Sequence, residues 1–572
     1  MNLVGFRSSF VILVLTLCAN ASGQSERTSV KLESRQRSKS SATIASKTKA
    51  KLTPQQQRAV RLLTSARTEA AGLEPEMRAF VLWHAAKGFE AVDPAKSKAV
   101  FNEAFLASQS VVEKQAESDD CGMDEVCHVK QFLQAGILAD VARRDPEAAQ
   151  ELLPQAEDEV KDQITSLVIE HYITKKDFGR AEALLLRMAD SKRYPYHAAS
   201  GLMSALPAGS PRQLSVFMQA VDNFRQNSAD DFPRLTGDLG EMVARFWQSL
   251  PPAAVLDAID VLLNGAKEQD KRQVQHIGFS ARGGKSGSFN SAYELRLFQV
   301  IPILEELDKP RAEDLKKENT SLRAMASQYP QGLQSIAENG KQEGGDFSIY
   351  SSEYSVDNDP ARTAESDARQ RLEAEILRRT ERVSAEVEKD PKQALADAEA
   401  LPLAPSRDLG LSPRVNALIK VARATRQKHP DIAKSALDTS RKNLEDIDPL
   451  QRGHFLIDIS DLYLQMDRSD DARKTLQESM KTAEKLYAQD ADANDPNLAF
   501  KGVWPSAGLW WKCVQSAASI SPDLPEQLMA EIPDAEIAAY ERVAWANSLL
   551  GKRESPELAQ QHKNGGASMV SF

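Results

Sequence analysis

From Pro54 onward the apolar positions recur with the period of an α-helix, and no run alternates apolar and polar residues as a half-buried strand would. Residues 455–487 show the unit most plainly. Phe455, Leu456, Ile459, Leu462 and Tyr463 fall on one helical face. After the polar stretch Asp467-Arg468-Ser469-Asp470, a second stripe runs through Ala472, Leu476, Met480, Ala483 and Leu486. Two antiparallel amphipathic helices joined by a short turn is the structure this predicts.

The unit recurs. Its junctions are Asp93-Pro94, Asp145-Pro146, Asp177-Phe178, Asp390-Pro391, His429-Pro430, Asp467-Arg468 and Ser521-Pro522. An Asp or Ser there can accept from the free N–H groups of the following first turn, and Pro at the next position has its φ preset for the helix. The spacing of an aromatic residue on the first helix, a small residue early on the second and a large apolar residue one turn later resembles the tetratricopeptide repeat. Tyr463, Ala472, Leu476 and Ser479 carry the pattern, as do Tyr172, Ala181, Leu185 and Met188. Gly88, Ser97, Phe101 and Ala104 match in the second helix alone. Junction intervals run from 32 to 213 residues, so the family's regular period of about 34 is broken. The resemblance implies an all-α fold, an irregular right-handed α-solenoid of tetratricopeptide-like or HEAT-like antiparallel helix pairs. It also implies a curved face that binds another protein.

The expected organisation has two halves. A helical-repeat region over 54–338 precedes a Gly- and Ser-rich linker over 339–364, and a tetratricopeptide-like region covers 365–560. The latter opens on a highly charged helix over 365–389, whose few apolar positions are Leu372, Ile376, Val383 and Val387. Residues 561–572 form a Gly-containing flexible tail. An array of this kind is expected to be elongated.

The N-terminus sets the destination. Arg7, the apolar run Phe10–Leu17 and small residues at Ala19, Ala21 and Gly23 read as an export signal over 1–23. Cys18 is preceded by Leu17, which is not the small residue a lipidation motif needs, so a lipid-anchored form is disfavoured. Residues 24–53 are a basic, serine-rich tail of net charge +6, too poor in large apolar residues to fold. Removing that +6 and Arg7 from the −10 of the whole 572-residue chain leaves −17 on residues 54–572. That balance disfavours nucleic acid and favours a basic protein or peptide partner. No later stretch is long and apolar enough to span a membrane, so the processed chain is expected to be periplasmic or extracellular.

Candidate chemistry is sparse. Gly278 to Phe289 reads GFSARGGKSGSF, but the spacing before Gly284-Lys285-Ser286 is wrong for a phosphate loop, and a surface loop between helices is expected. The histidines are scattered, Gly-x-Ser-x-Gly is absent, and no catalytic, cofactor or metal site is assigned. Trp504, Trp510 and Trp511 fit core packing better than a ligand groove, and Cys513 reads as a buried small residue. Three readings of function stay open. The first is an exported scaffold binding proteins through its stacked helices; the second is an envelope or cell-wall enzyme with an unrecognised site; the third is a structural filler.

Cys121 and Cys127 can form a disulfide, stay as two thiols, or bind a metal together with His128. An oxidising compartment favours the disulfide. Peptide mapping of exported protein without reduction should therefore give one linked fragment; free alkylation of both thiols refutes the pairing.

Overall fold

A computed structural model describes residues 52–112, 128–227, 239–272, 276–281, 285–330, 332, 347–352, 372, 375–403, 412–445, 447–493 and 498–552. The export signal, the basic tail, both Cys121 and Cys127, and the C-terminal tail lie outside these residues.

The described chain is an all-α solenoid with one small sheet. In the first half the helices are α1 (Pro54–Ala70), α2 (Pro75–Phe89), α3 (Pro94–Gln109), α4 (Val129–Arg144), α5 (Pro146–Leu152), α6 (Asp158–Thr174), α7 (Phe178–Arg187), α8 (Tyr196–Ala205), α9 (Pro211–Asn227), α10 (Leu239–Phe246), α11 (Pro252–Arg272), α12 (Ala292–Leu307), α13 (Lys309–Glu318) and α14 (Thr320–Gln328). In the second they are α15 (375–386), α16 (Pro391–Glu399), α17 (Pro413–Thr425), α18 (Pro430–Lys442), α19 (Pro449–Gln465), α20 (Ser469–Asp492), α21 (Pro505–Ile520), α22 (Leu524–Met529) and α23 (Ala535–Leu549).

Helices pair as leading and trailing members: α2 with α3, α4 with α5, and so on to α12 with α13, then α17 with α18, α19 with α20 and α21 with α22. Besides α14, α15 and α16, that leaves α23 without a trailing helix and α1 without a leading one. The two pack on each other, so the first and last helices among the described residues form one split pair. On its other sides α23 meets the leading helices α21 and α2. The halves are therefore one continuous stack in which the C-terminal array runs straight into the N-terminal one. A single apolar core reaches from Ala59 to Leu322 and takes in Trp511, Tyr540, Val543 and Trp545. The helix that completes the α1 repeat lies some 480 residues away in the chain.

Local signals explain most helix starts. Asp93, Asp145, Asp177 and Asp390 each accept from backbone N–H groups of the first turn that follows, as the junctions predict. His429 makes no side-chain cap. Asp467 and Ser521 end the preceding helices instead of starting new ones: Asp467 sits at φ 58°, and Ser521 is the C-cap of α21. Asp467 has a counterpart in Lys176 at φ 61°. Each lies four positions after a signature tyrosine, and the next amide closes onto that tyrosine's carbonyl, Asp177 N to Tyr172 O and Arg468 N to Tyr463 O, both at 2.9 Å. This is the same left-handed helix stop built twice.

The loop expected over Gly278–Phe289 is instead a hairpin. Strands β1 (His276–Ala281) and β2 (Lys285–Phe289) pair antiparallel, with Ile277 opposite Phe289. A third strand, β3 (Phe347–Ser352), lies within the segment read as a linker and pairs with the other edge of β1, Phe347 opposite Ala281. Ile277 and Phe289 are fully buried, and the Phe289 ring meets Phe298 of α12 at 5.3 Å. Gly and Ser between those two apolar residues erase the alternation by which strands are recognised. Within the charged 365–389 stretch, Ile376 and Val383 are buried and Leu372 is exposed.

The split pair sets a test. Its two helices pack antiparallel: Arg58 near the start of α1 lies over Trp545 late in α23 at 4.5 Å, while Glu74 N just after α1 donates to Glu536 Oε1 early in α23 at 3.2 Å. A chain opened between residues 353 and 371, with Lys552 joined to Leu52 by a short Gly-Ser linker, should keep the helical circular dichroism and unfold within about 3 °C of the parent. A midpoint more than about 10 °C lower would refute the split repeat.

Candidate functional site

The most unusual chemistry in the described residues lies on α2 and α23, the two helices that α1 packs against. On α1, Ala59, Leu63, Ala66 and Ala70 form the buried stripe. Thr53 starts the helix with a reciprocal capping box, its hydroxyl accepting from Gln56 N while Gln56 Oε1 accepts from Thr53 N. Charged contacts tie the helix at both ends. Arg58 lies 3.5 Å from Asp523 and 3.8 Å from Glu526, with its guanidinium 4.5 Å above the Trp545 ring. Arg67 donates to Glu103 at 2.8 Å, and Glu69 pairs with Arg542.

Gly88 of α2 is needed here. A Cβ at this position would stand 2.7 Å from Asn547 Oδ1 and 2.7 Å from Leu63 Cδ2. The backbone of α2 thus sits directly against both α1 and α23.

Polar groups are buried in the same region without partners. Asn547 and Glu541 are fully buried, and neither the Asn547 amide nor either Glu541 carboxyl oxygen finds a hydrogen bond among the described residues. Burial pushes the Glu541 pKa well above the ordinary carboxylate range. His84 is 2% exposed, ringed by Phe80, Trp83, Trp511 and Tyr540 at centroid distances of 4.6 to 5.5 Å, and neither ring nitrogen has a partner. Burial, and then the nearby Lys87 charge, push its pKa well below the usual histidine value, so the imidazole is neutral. Trp511 stacks on Tyr540 at 4.3 Å, and Phe500 covers Phe80 at 5.4 Å.

The arrangement is poor in nucleophiles. Cys513 is fully buried, its thiol points to Ser479 Oγ at 3.2 Å, and burial pushes its pKa up to about 12. It stays a thiol. Trp510 and Trp511 are buried in the core, and Trp504 Nε1 donates to Leu498 O at 3.1 Å. No cluster of three or more potential metal ligands occurs among the described residues. His128 lies just before α4, beside the undescribed Cys121 and Cys127.

The repeat-signature residues Ala181, Leu185, Ala472 and Leu476 are fully buried, and Tyr172 and Tyr463 nearly so. Each tyrosine reaches back to the trailing helix of the preceding pair. Tyr463 donates to Asp438 at 2.6 Å, and Tyr172 meets Glu147 at 3.3 Å while accepting from Gln150 at 3.1 Å. A chain of polar contacts also runs along the trailing row. In order these are Thr439 to Glu399, Arg441 to Glu478, Arg473 to Gln527, Arg58 to Asp523, Arg67 to Glu103, Lys98 to Asp145, Arg180 to Glu147, Arg212 to Glu182, Arg225 to Asp257 and Arg311 to Asp260. Arg58 carries that chain across the split pair. The sequence reading missed His84, Glu541 and Asn547; the signal available was a polar residue at a stripe position, as Glu541 stands four after Ile537 and Asn547 three after Ala544.

No family model matches the chain, and no curated protein sequence does. Among solved structures it is similar to a "Circular tandem repeat protein with novel repeat topology and enhanced subunit contact surfaces", over 89% of this chain and 100% of that one, at 11% identity and a TM-score of 0.17. A likeness this distant carries neither activity nor partner. The fold itself defines the class: an all-α helical-repeat protein.

Glu541 fixes a pH dependence. Its folded pKa is raised, so its contribution to stability is fully present below the unfolded value and falls as pH rises above it. His84, with its folded pKa depressed, contributes above its unfolded value and loses that as pH falls. Glu541→Gln removes the carboxylate's ionisation and should raise the unfolding midpoint by about 2–4 °C at pH 8, with a smaller change at pH 4. Calorimetry at both values checks it, and a lower midpoint at pH 8 counts against an unpaired buried acid.

Proposed function

We propose that this chain is an exported helical-repeat protein acting as a protein–protein interaction scaffold in the cell envelope or periplasm. The observation that carries the scaffold reading is the continuous stack through the split pair, with each pair touching its neighbours. Such a stack has a long exposed surface that its own repeats do not cover. Helix-pair grooves suit extended peptides and partner helices. Export rests on Arg7, the apolar run Phe10–Leu17 and the small residues that follow. The −17 carried by residues 54–572 favours a basic partner and salt-dependent association.

Cross-linking and pull-down from the native compartment, at about 50 mM and about 300 mM salt, test the reading together with N-terminal sequencing of the recovered chain. The expected result is a chain lacking its first twenty or so residues (roughly the span of an export signal), with a protein partner whose recovery falls as salt rises. A chain that keeps Met1 in the cytosol, or that recovers no partner at either salt, overturns it.

A further inference from the structure

The groove that receives α1 asks for something α1 does not supply. Its floor is Gly88 and Asn547, and a Cβ at Gly88 would stand 2.7 Å from both Leu63 Cδ2 of α1 and Asn547 Oδ1. Asn547 is fully buried with both its donor and its acceptor unmet, so an aliphatic group sits beside an amide that needs a hydrogen-bonding one. The rest of the groove is specific. Asp523 and Glu526 meet a cation at one end, Glu103 meets a second about two and a half turns on, and Arg542 meets a carboxylate. Between them the packing admits small residues, supplied by Ala59, Ala66 and Ala70.

Like the other trailing helices of its kind, the present occupant buries little of its own surface. Three of its four buried residues are alanines, whereas α2 beside it buries eleven residues, among them Phe80, Trp83 and Phe89. It is joined to α2 through the short turn Ala71–Glu74 and is followed on its other side by no packed element of the described chain. A helix with few buried apolar groups opens locally at low cost.

We propose that α1 is a placeholder, and that the groove between α2 and α23 takes a partner helix of the same charge pattern bearing a hydrogen-bonding side chain such as Gln where α1 carries Leu63. The proposal rests on the interaction-scaffold reading and names the site and the partner chemistry for it. The occupant is an amphipathic helix with two arginines in the places of Arg58 and Arg67, a carboxylate in the place of Glu69, small residues along its buried stripe, and one central amide. That amide pairs with Asn547, turning an unmet buried group into a satisfied one, while the charged rungs are kept. Recognition is then a helix laid in a groove, with specificity set by the buried polar pair.

The full chain provides the test. A site-specific protease sequence is placed between Gly72 and Leu73, the protein is folded and then cleaved, and fluorescent peptides of residues 53–72 are titrated in, one with Leu63 and one with Leu63→Gln. Anisotropy should show both entering, the Gln peptide at least tenfold more tightly. In the Asn547→Leu chain that preference should vanish. Asn547→Leu in the uncleaved protein should raise the unfolding midpoint, which also confirms that the variant folds. Equal or weaker binding of the Gln peptide to the Asn547 chain overturns the proposal. So does failure of either peptide to enter over a day while circular dichroism stays native. If neither peptide enters yet the pull-down still recovers a partner, this inference fails and the scaffold reading stands. If the peptides exchange as expected while no partner is recovered, the groove stands and the scaffold reading fails.

Discussion

The pairing of α1 with α23 is the contact on which the rest depends. A leading helix that lacks its trailing partner leaves an apolar stripe in water, and the chain has one such half-pair at each end of its helical span. Packing the two together buries both stripes and brings Trp511, Tyr540, Val543 and Trp545 into the apolar core of the N-terminal half.

The two rows divide the work of holding such a stack. Leading helices near the split pair are buried on nearly all sides, with eleven residues of α2 and nine of α23 inside the core, so burial there supplies most of the stabilisation. Trailing helices are amphipathic, and their outward charges are matched to neighbours. Exposed ion pairs are screened by water and add little, so the chain of contacts from Glu399 to Asp260 sets register more than stability. A pair out of register by one turn would leave Arg67 and Glu103, or Arg212 and Glu182, without opposite charges to meet.

How much of this was legible depended on range. Capping acts over three residues, so Asp93, Asp145, Asp177 and Asp390 could be read directly. The tyrosine, alanine and leucine of the repeat signature act within one pair or onto the preceding one, and the burial of Tyr463, Ala472 and Leu476 follows from stripe spacing. The hairpin was hidden because its strands carry Gly and Ser where Val or Thr would mark a strand, and β3 joins it from far along the chain. The split pair was less visible still. Nothing in the stripe Ala59, Leu63, Ala66, Ala70 names α23 as its partner; the only clue was an unpaired helix at each end.

Unmet polar groups are concentrated where the ends of the chain meet, and that concentration has a physical reading. A core selected for stability alone would place Leu or Met at residues 541 and 547, since an unpaired buried amide or carboxyl costs about 1–3 kcal/mol. Along the array buried polar residues are commonly matched: Ser97 donates to Ala86 O, Ser460 to Ala472 O and Ser479 to Gly453 O. Single unmet atoms such as Gln134 Nε2 and Ser200 Oγ do occur elsewhere in the stack. Among the described residues, the side chains with two polar atoms and a partner for neither are His84, Glu541 and Asn547, and all three lie on α2 and α23, the two leading helices that α1 packs against. A closure weakened in this way holds the ends together and still leaves the groove open to a helix that completes its hydrogen bonds.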